Sequence, residues 1–137
     1  MLLVYSVILS KGVEELANDM DMEGITLVNE YGYASQELLN TMIVGKAATN
    51  VHDGDKDMGD DLVLKGIHKR SEIGFLTFFE HYGYFEVGAH FKKPYLPIWI
   101  VCSESHYSIL FSTDISLVTQ VQQPKTFDLI YYDELSR

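Results

Sequence analysis

Apolar and polar residues follow a helical period in the first third of this chain. Apolar positions recur at spacings of three and four between Leu38 and Ile43, which places them on one face of a helix. Ser35 is a typical N-cap residue, and Gly45 is a typical residue after a helix end. The pattern therefore predicts a helix over residues 36–44.

The chain opens with an apolar run from Met1 to Leu9. This run is too short to span a bilayer. It also lacks the basic start and small-residue cleavage site of a secretory signal. The pattern predicts a buried helix that ends at Gly12, then a short helix over residues 13–18. A helix that begins this abruptly indicates that residues upstream are missing.

Most of the remaining elements are predicted to be short. Residues 71–82 are interpreted as a helix with Ser71 as N-cap, although Gly74 is a weak helix former. Aromatic and β-branched residues favour several strands. The predicted strands cover residues 25–28, 62–64, 85–88 and 127–132. This mixture of elements predicts an α+β fold.

A hairpin is the clearest β signal in the sequence. Residues 98–102 form a continuous apolar run, which is typical of a strand buried on both faces. A small polar turn follows. From residue 106 to residue 111 the pattern alternates, so His106 shares a face with Ser108 and Leu110. The sequence thus places a histidine at the end of a strand, on the less apolar face.

Composition narrows the possible partners. Hydrophobic residues make up 47% of the 137 positions, enough for a core, and the net charge is −10. Such acidity disfavours nucleic acid as a partner and suits a protein with a basic face. No membrane partner is predicted. The single cysteine, Cys102, excludes an intrachain disulfide and favours a reducing compartment, which is the cytoplasm or the nucleus.

His106 is the main candidate for chemistry, because a titratable imidazole beside a polar turn suits acid–base catalysis. An ordinary structural histidine remains the alternative. The natural partner of such a base is a cysteine nucleophile. Cys102 lies in an apolar run, where a thiol keeps a high pKa. We therefore interpret Cys102 as a buried core residue.

A metal site is not supported by the spacing of the possible ligands. Asp53, Asp55 and Asp57 fit the first three positions of a calcium-binding EF-hand loop. Met58 and Leu64 then occupy the positions that require glycine and glutamate. A solvated acidic loop is the better interpretation. The histidines lack paired metal-ligand spacing, and we expect neither a metal nor another cofactor.

The segment IWIVCSESHYSILF resembles the hallmark segment of the MINDY deubiquitinases, in the branch of the fourth member and its B-type paralogue. Four further segments match this branch: LLVYSVILSKG, YGYASQELLNTMIVGKAATNV, LKGIHKRSEIGFLTFFEHYGYFEVG and FDLIYYDEL. The resemblance implies a partial papain-like cysteine protease core, with residues 1–137 as the C-terminal portion of the catalytic domain. It also implies ubiquitin and polyubiquitin chains as partners. Where the family's specificity has been assigned, the chains are lysine-forty-eight-linked.

The same resemblance assigns the site residues. His106 matches the family's catalytic histidine, whereas nothing in the chain matches the segment that carries the nucleophilic cysteine. Asp128 lies where a group that orients the imidazole could come from; the alternative is an ordinary carboxylate at a strand entry. Ser103, Glu104 and Ser105 could shape the rim of the cleft, or serve only as turn residues.

These inferences leave three possibilities open. The chain derives from a cysteine-type deubiquitinase, with His106 as general base. Alternatively, it is an inactive ubiquitin-binding or vestigial fragment that has lost its nucleophile. A third possibility is that the fragment does not fold alone, because the missing half contributes helices to the same core.

Overall fold

The computed structural model describes residues 2–121 and 126–134. It divides into two compact units, Met1–His68 and Lys69–Arg137. The first unit contains helices and a two-stranded hairpin, and the second is built on a four-stranded sheet. The predicted α+β class is confirmed. No helix within the described ranges is long and apolar enough to cross a membrane.

The first unit consists of three helices followed by the small hairpin. The elements are α1 (Leu2–Lys11), α2 (Val13–Asp19), α3 (Gln36–Val44), β1 (Lys56–Asp57) and β2 (Val63–Leu64). All three helices match the predicted segments closely, and β2 lies within the predicted strand. The predicted strand over residues 25–28 is wrong, since only an isolated bridge joins Val28 to Ala34.

The caps of α3 explain why its bounds were readable from sequence. The Ser35 side chain accepts a hydrogen bond from the Leu38 amide at 3.3 Å. Gly45 adopts the left-handed conformation, with φ 73° and ψ 17°, which glycine reaches without steric cost. Within the helix, the buried Asn40 side chain donates to the carbonyls of Ala48 and Asn50 at 2.8 and 3.1 Å. The helix therefore also fixes the segment that follows it.

The expected burial of α1 is not found in this chain. The helix forms and ends before Gly12, but none of its residues is buried. Leu2 is 85% exposed and Leu9 is 76% exposed. Ile8 packs on the small cluster of Leu16, Met20 and Ala47. The first unit thus leaves most of the apolar surface of α1 exposed.

The second unit places its helices between and after the strands of one sheet. The elements are β3 (Gly74–Thr77), α4 (Phe78–His81), α5 (Ala89–Lys92), β4 (Ile98–Ser103), β5 (His106–Phe111), α6 (Ser116–Thr119) and β6 (Ile130–Tyr132). The strand order is β3-β4-β5-β6. The pair β3–β4 is parallel, and the other two pairs are antiparallel.

Strand β3 corrects the sequence-based prediction of a helix over residues 71–82. The helix begins only at Phe78, and Thr77 caps it by accepting a hydrogen bond from the Phe79 amide at 3.2 Å. Gly74 permits the strand to pack closely, because a Cβ there would collide with the Trp99 ring and with the Phe91 carbonyl. The predicted strand over residues 85–88 is also wrong, as this segment has no regular structure.

The β4–β5 hairpin agrees with the prediction. Ser103 pairs with His106, so Glu104 and Ser105 form a two-residue turn. The antiparallel register and the alternation of side chains then define two faces. One face carries Trp99, Val101, Ser103, His106, Ser108 and Leu110, and the other carries Ile98, Ile100, Cys102, Tyr107, Ile109 and Phe111. We call these the histidine face and the cysteine face.

The Ser35 cap gives a direct test of the fold of the first unit. We expect Ser35→Ala to lower the free energy of unfolding by about 1 kcal/mol, because the Leu38 amide in the first turn of α3 loses its acceptor. Urea denaturation followed by circular dichroism measures this change. Ser6→Ala is the matched control, since Ser6 is an exposed residue inside α1. Equal effects of the two substitutions would contradict the capping role.

Candidate active site

The site is built around the first residue of β5. His106 Nε2 lies 3.0 Å from Asp133 Oδ2, and Asp133 directly follows β6. The Tyr131 hydroxyl donates to the same carboxylate oxygen at 3.4 Å. Leu110 pairs with Tyr131 across β5 and β6, so alternation brings Asp133 to the histidine face. Two strands therefore hold the imidazole and the carboxylate together.

This contact fixes the tautomer of the neutral imidazole. A carboxylate oxygen accepts hydrogen bonds, so Nε2 of His106 carries the proton and donates it. Nδ1 is then the unprotonated nitrogen, and it makes no hydrogen bond with the described residues. The His106 side chain is 38% exposed, whereas that of Asp133 is 17% exposed. The ring thus has a fixed, partly shielded edge and an edge available to accept a proton.

The carboxylate beside the His106 ring belongs to Asp133, and not to Asp128, which the sequence suggested as a possible orienting group. Asp128 is exposed and lies before β6, and its side chain makes no hydrogen bond within the described ranges. The structure pairs the ring with Asp133, five residues later. Asp133 could not be identified from the sequence, because its placement depends on the β5–β6 register.

The turn residues lie at the same end of the hairpin as the imidazole. Ser103 is the last residue of β4, and Glu104 and Ser105 are exposed. Glu104 has a φ of 55°, a conformation that costs a residue with a side chain about 1 kcal/mol. None of these three side chains hydrogen-bonds to His106 among the described contacts. They border the histidine without holding it.

Cys102 lies on the other face of the sheet. It is 6% exposed, and its thiol donates to the Glu104 carbonyl at 3.3 Å. Burial raises the pKa of the Cys102 thiol, against the opposing effect of hydrogen bonds with Tyr107 and Thr77. Burial also raises the pKa of Tyr107 to about 12. The predicted role of Cys102 as a buried core residue is confirmed.

Other polar clusters have structural partners. Asp55 accepts a hydrogen bond from the Gly66 amide at 3.0 Å and pairs with His68 at 2.7 Å. Glu80 accepts from the Val87 amide at 3.0 Å and pairs with Lys92 at 2.6 Å. Within residues 2–121 and 126–134, no group of three or more histidine, cysteine or acidic side chains could hold a metal ion.

Comparison with known proteins identifies the family. A family model described as "Deubiquitinating enzyme MINDY-3/4, conserved domain" matches residues 1–137. The chain belongs to the MINDY-3/4 family. The family predicted from the sequence is thereby confirmed. No solved structure matches the chain, so the papain-like core has no structural neighbour to support it.

The relatives of this MINDY-3/4 chain are much longer than the chain. The "Probable ubiquitin carboxyl-terminal hydrolase MINDY-4" of Bos taurus is 45% identical over 99% of the chain, which covers 18% of that relative. The human protein of the same name is 44% identical with the same coverage. Human "Ubiquitin carboxyl-terminal hydrolase MINDY-3" is 41% identical over 86% of the chain, which covers 26% of that relative. The chain thus spans about a fifth to a quarter of the relatives it matches.

The buried thiol of this MINDY-3/4 chain should be chemically inert in the folded state. The raised pKa keeps Cys102 protonated at neutral pH, and alkylation requires the thiolate. We expect iodoacetamide at pH 7.5 to modify the folded chain at least about tenfold more slowly than the urea-unfolded chain, as followed by mass spectrometry. Equal rates in the two states would contradict both the burial and the direction of the pKa shift.

Proposed function

We propose that this chain supplies the histidine half of a cysteine-type deubiquitinase site with a papain-like core. The hydrogen bond between His106 and Asp133, at 3.0 Å, is the observation that carries the proposal. It leaves Nδ1 as the basic nitrogen of an imidazole that is partly exposed. The substrates would be polyubiquitin chains, with lysine-forty-eight linkages as the preferred class. The chain would be the C-terminal portion of the catalytic domain.

The nucleophile would come from a polypeptide segment outside these residues. Nδ1 of His106 would accept the thiol proton, and the thiolate would attack the carbonyl carbon of the isopeptide bond. The imidazolium would then protonate the leaving lysine amine as the carbon–nitrogen bond breaks. In the second half-reaction, His106 would take a proton from water, and the hydroxide would hydrolyse the thioester.

Asp133 would act as a positioning residue in this cycle. Its carboxylate accepts the Nε2 proton, which holds the ring in the tautomer that the first proton transfer requires. Its negative charge also stabilises the imidazolium that forms at each half-reaction. Tyr131 donates to the same carboxylate oxygen, and this second hydrogen bond restricts the carboxylate rotamer. The pair thus provides a base of fixed orientation.

The turn of Ser103, Glu104 and Ser105 would form one rim of the substrate cleft. Glu104 and Ser105 are exposed, and the turn lies beside His106 on the same hairpin. Strand β6 is the last strand of the sheet order β3-β4-β5-β6, so an extended ubiquitin tail could pair with its free edge. A thiol enzyme of this type needs a reducing compartment, which the cytoplasm and the nucleus provide.

A grafted enzyme tests the role of His106. The chain would replace the matching segment of human MINDY-4, and hydrolysis of lysine-forty-eight-linked chains would be followed by gel electrophoresis. We expect His106→Ala to reduce turnover by about 10²- to 10⁴-fold, the usual contribution of a general base. Cys102→Ala is the control and should retain turnover. A graft that loses activity with Cys102→Ala but keeps it with His106→Ala would contradict the proposal.

A pair of matched substitutions separates Asp133 from Asp128. In the same graft, we expect Asp133→Asn to lower kcat by at least about tenfold, equivalent to ~1.4 kcal/mol of transition-state stabilisation. KM should stay unchanged, because Asp133 orients a base and does not bind substrate. Asp128→Asn should leave both constants unchanged. The reverse result would assign the orienting role to Asp128.

The second candidate function is ubiquitin binding without turnover. Cys102 favours it, because the single cysteine of the sequence is buried on the face opposite to His106. The chain by itself would then hold a base that has no nucleophile. Ubiquitin binding by the isolated chain, together with a graft that stays inactive while native MINDY-4 cleaves, would favour this candidate.

A further inference from the structure

A cavity of about 540 Å³ lies in the second unit. Its volume is within the range of ligand sites in proteins, about 300–1,000 Å³. Three of the chain's ten lysine and arginine residues line it, together with His90: they are Arg70, Lys92 and Lys93. No acidic residue occurs among the described lining residues. The cavity therefore has a cationic lining in a chain whose net charge is −10.

The cationic groups differ in their availability. Arg70 donates to the carbonyls of Lys93, Pro94 and Val118, and its guanidinium lies 4.5 Å from the centre of the Tyr95 ring. These contacts hold the arginine rigidly and leave its charge without a carboxylate partner among the described residues. Lys92 is neutralised by Glu80. Lys93 is exposed and has no ion pair within the described ranges.

Part of the cavity lining is apolar. Trp99 and Leu117 form its buried part, at 8% and 7% exposure. Phe127 and Val121 also line it, and they are 49% and 103% exposed. The indole N–H of Trp99 donates to the Lys92 carbonyl at 3.1 Å, so the ring is fixed. Exposed apolar side chains around a concave site are typical of a surface that binds a ligand.

We propose that this cavity binds an acidic peptide segment that carries a bulky apolar side chain. The carboxylates would interact with Lys93 and Arg70, and the apolar side chain would pack on Trp99 and Phe127. Charge complementarity selects this occupant, because a basic peptide would meet the like charges of Lys93 and Arg70. The inference rests on the cavity alone and does not depend on the proposed catalytic role.

The cavity is lined by a residue of the histidine face of the sheet. Trp99 lies on the histidine face, as does His106. Ser103, the partner of His106, lies four positions after Trp99 in β4, which corresponds to about 13 Å along the strand. A peptide bound in the cavity would therefore extend beside the histidine.

Trp99 makes the binding directly measurable, because it is the only tryptophan of the chain. The probe is the tryptophan-free peptide Glu-Asp-Phe-Glu-Asp-Leu, titrated into the full chain while indole fluorescence is recorded. We expect a saturable change in intensity or wavelength. The control peptide, with lysine at each acidic position, should produce no saturable change. Equal responses to the two peptides would overturn the proposal.

Substitutions at exposed positions test the assignment without disturbing the core. We expect Lys93→Glu to lower the affinity for the acidic peptide at least about tenfold, because an opposite charge is lost and a like charge is gained. Lys56→Glu makes the same charge change in the first unit and should have no effect. Lys93→Gln and Val121→Asp are second variants, for use if circular dichroism shows that Lys93→Glu unfolds.

Either of two results would overturn the proposal of a peptide site. One is an unchanged affinity in Lys93→Glu, or in the second variants if they replace it. The other is complete displacement of the peptide by millimolar inorganic phosphate at constant ionic strength, which would indicate a simple anion site. Persistent binding in phosphate would instead support the contribution of the apolar wall.

Discussion

The hydrogen bond from His106 Nε2 to Asp133 is the interaction on which the account of this chain depends. It decides which ring nitrogen carries the proton and therefore which one can act as a base. The bond forms because β5 lies between β4 and β6 in one antiparallel arrangement. A shift of either pairing by one residue would move a side chain to the opposite face of the sheet. The chemistry of the site is thus a consequence of strand register.

The alternation of side chains that places His106 on one face of the sheet places Cys102 on the other face. The two residues are four apart in sequence, but they lie on opposite faces because the hairpin turn intervenes. Burial keeps the thiol protonated, which is the reverse of what a nucleophile requires. The chain covers 18% of the bovine MINDY-4 relative, and such a relative has ample sequence to provide the thiol elsewhere. The absence of a local nucleophile beside the proposed base is therefore consistent with the proposal that this chain supplies one part of a divided active site.

The elements that were predicted correctly are those whose bounds depend on interactions between residues close in sequence. The bounds of α3 follow from Ser35 and Gly45, and the β4–β5 hairpin follows from its own alternation and turn. Strand β3 could not be predicted in the same way, because its partner β4 is more than twenty residues away in a parallel pairing. The position of Asp133 depends on a similar long-range register. The exposure of α1 was equally unpredictable, since burial depends on what packs against a helix and not on its composition.

The most direct test of the central claim is the tautomer of His106 in the isolated chain, measured by long-range ¹H–¹⁵N NMR at pH 8. The account predicts a protonated Nε2 and an unprotonated Nδ1. His52 is an internal control with the opposite tautomer, because its Nδ1 lies 2.9 Å from the Gly54 carbonyl, which can only accept. A protonated Nδ1 on His106, with His52 as expected, would contradict the account.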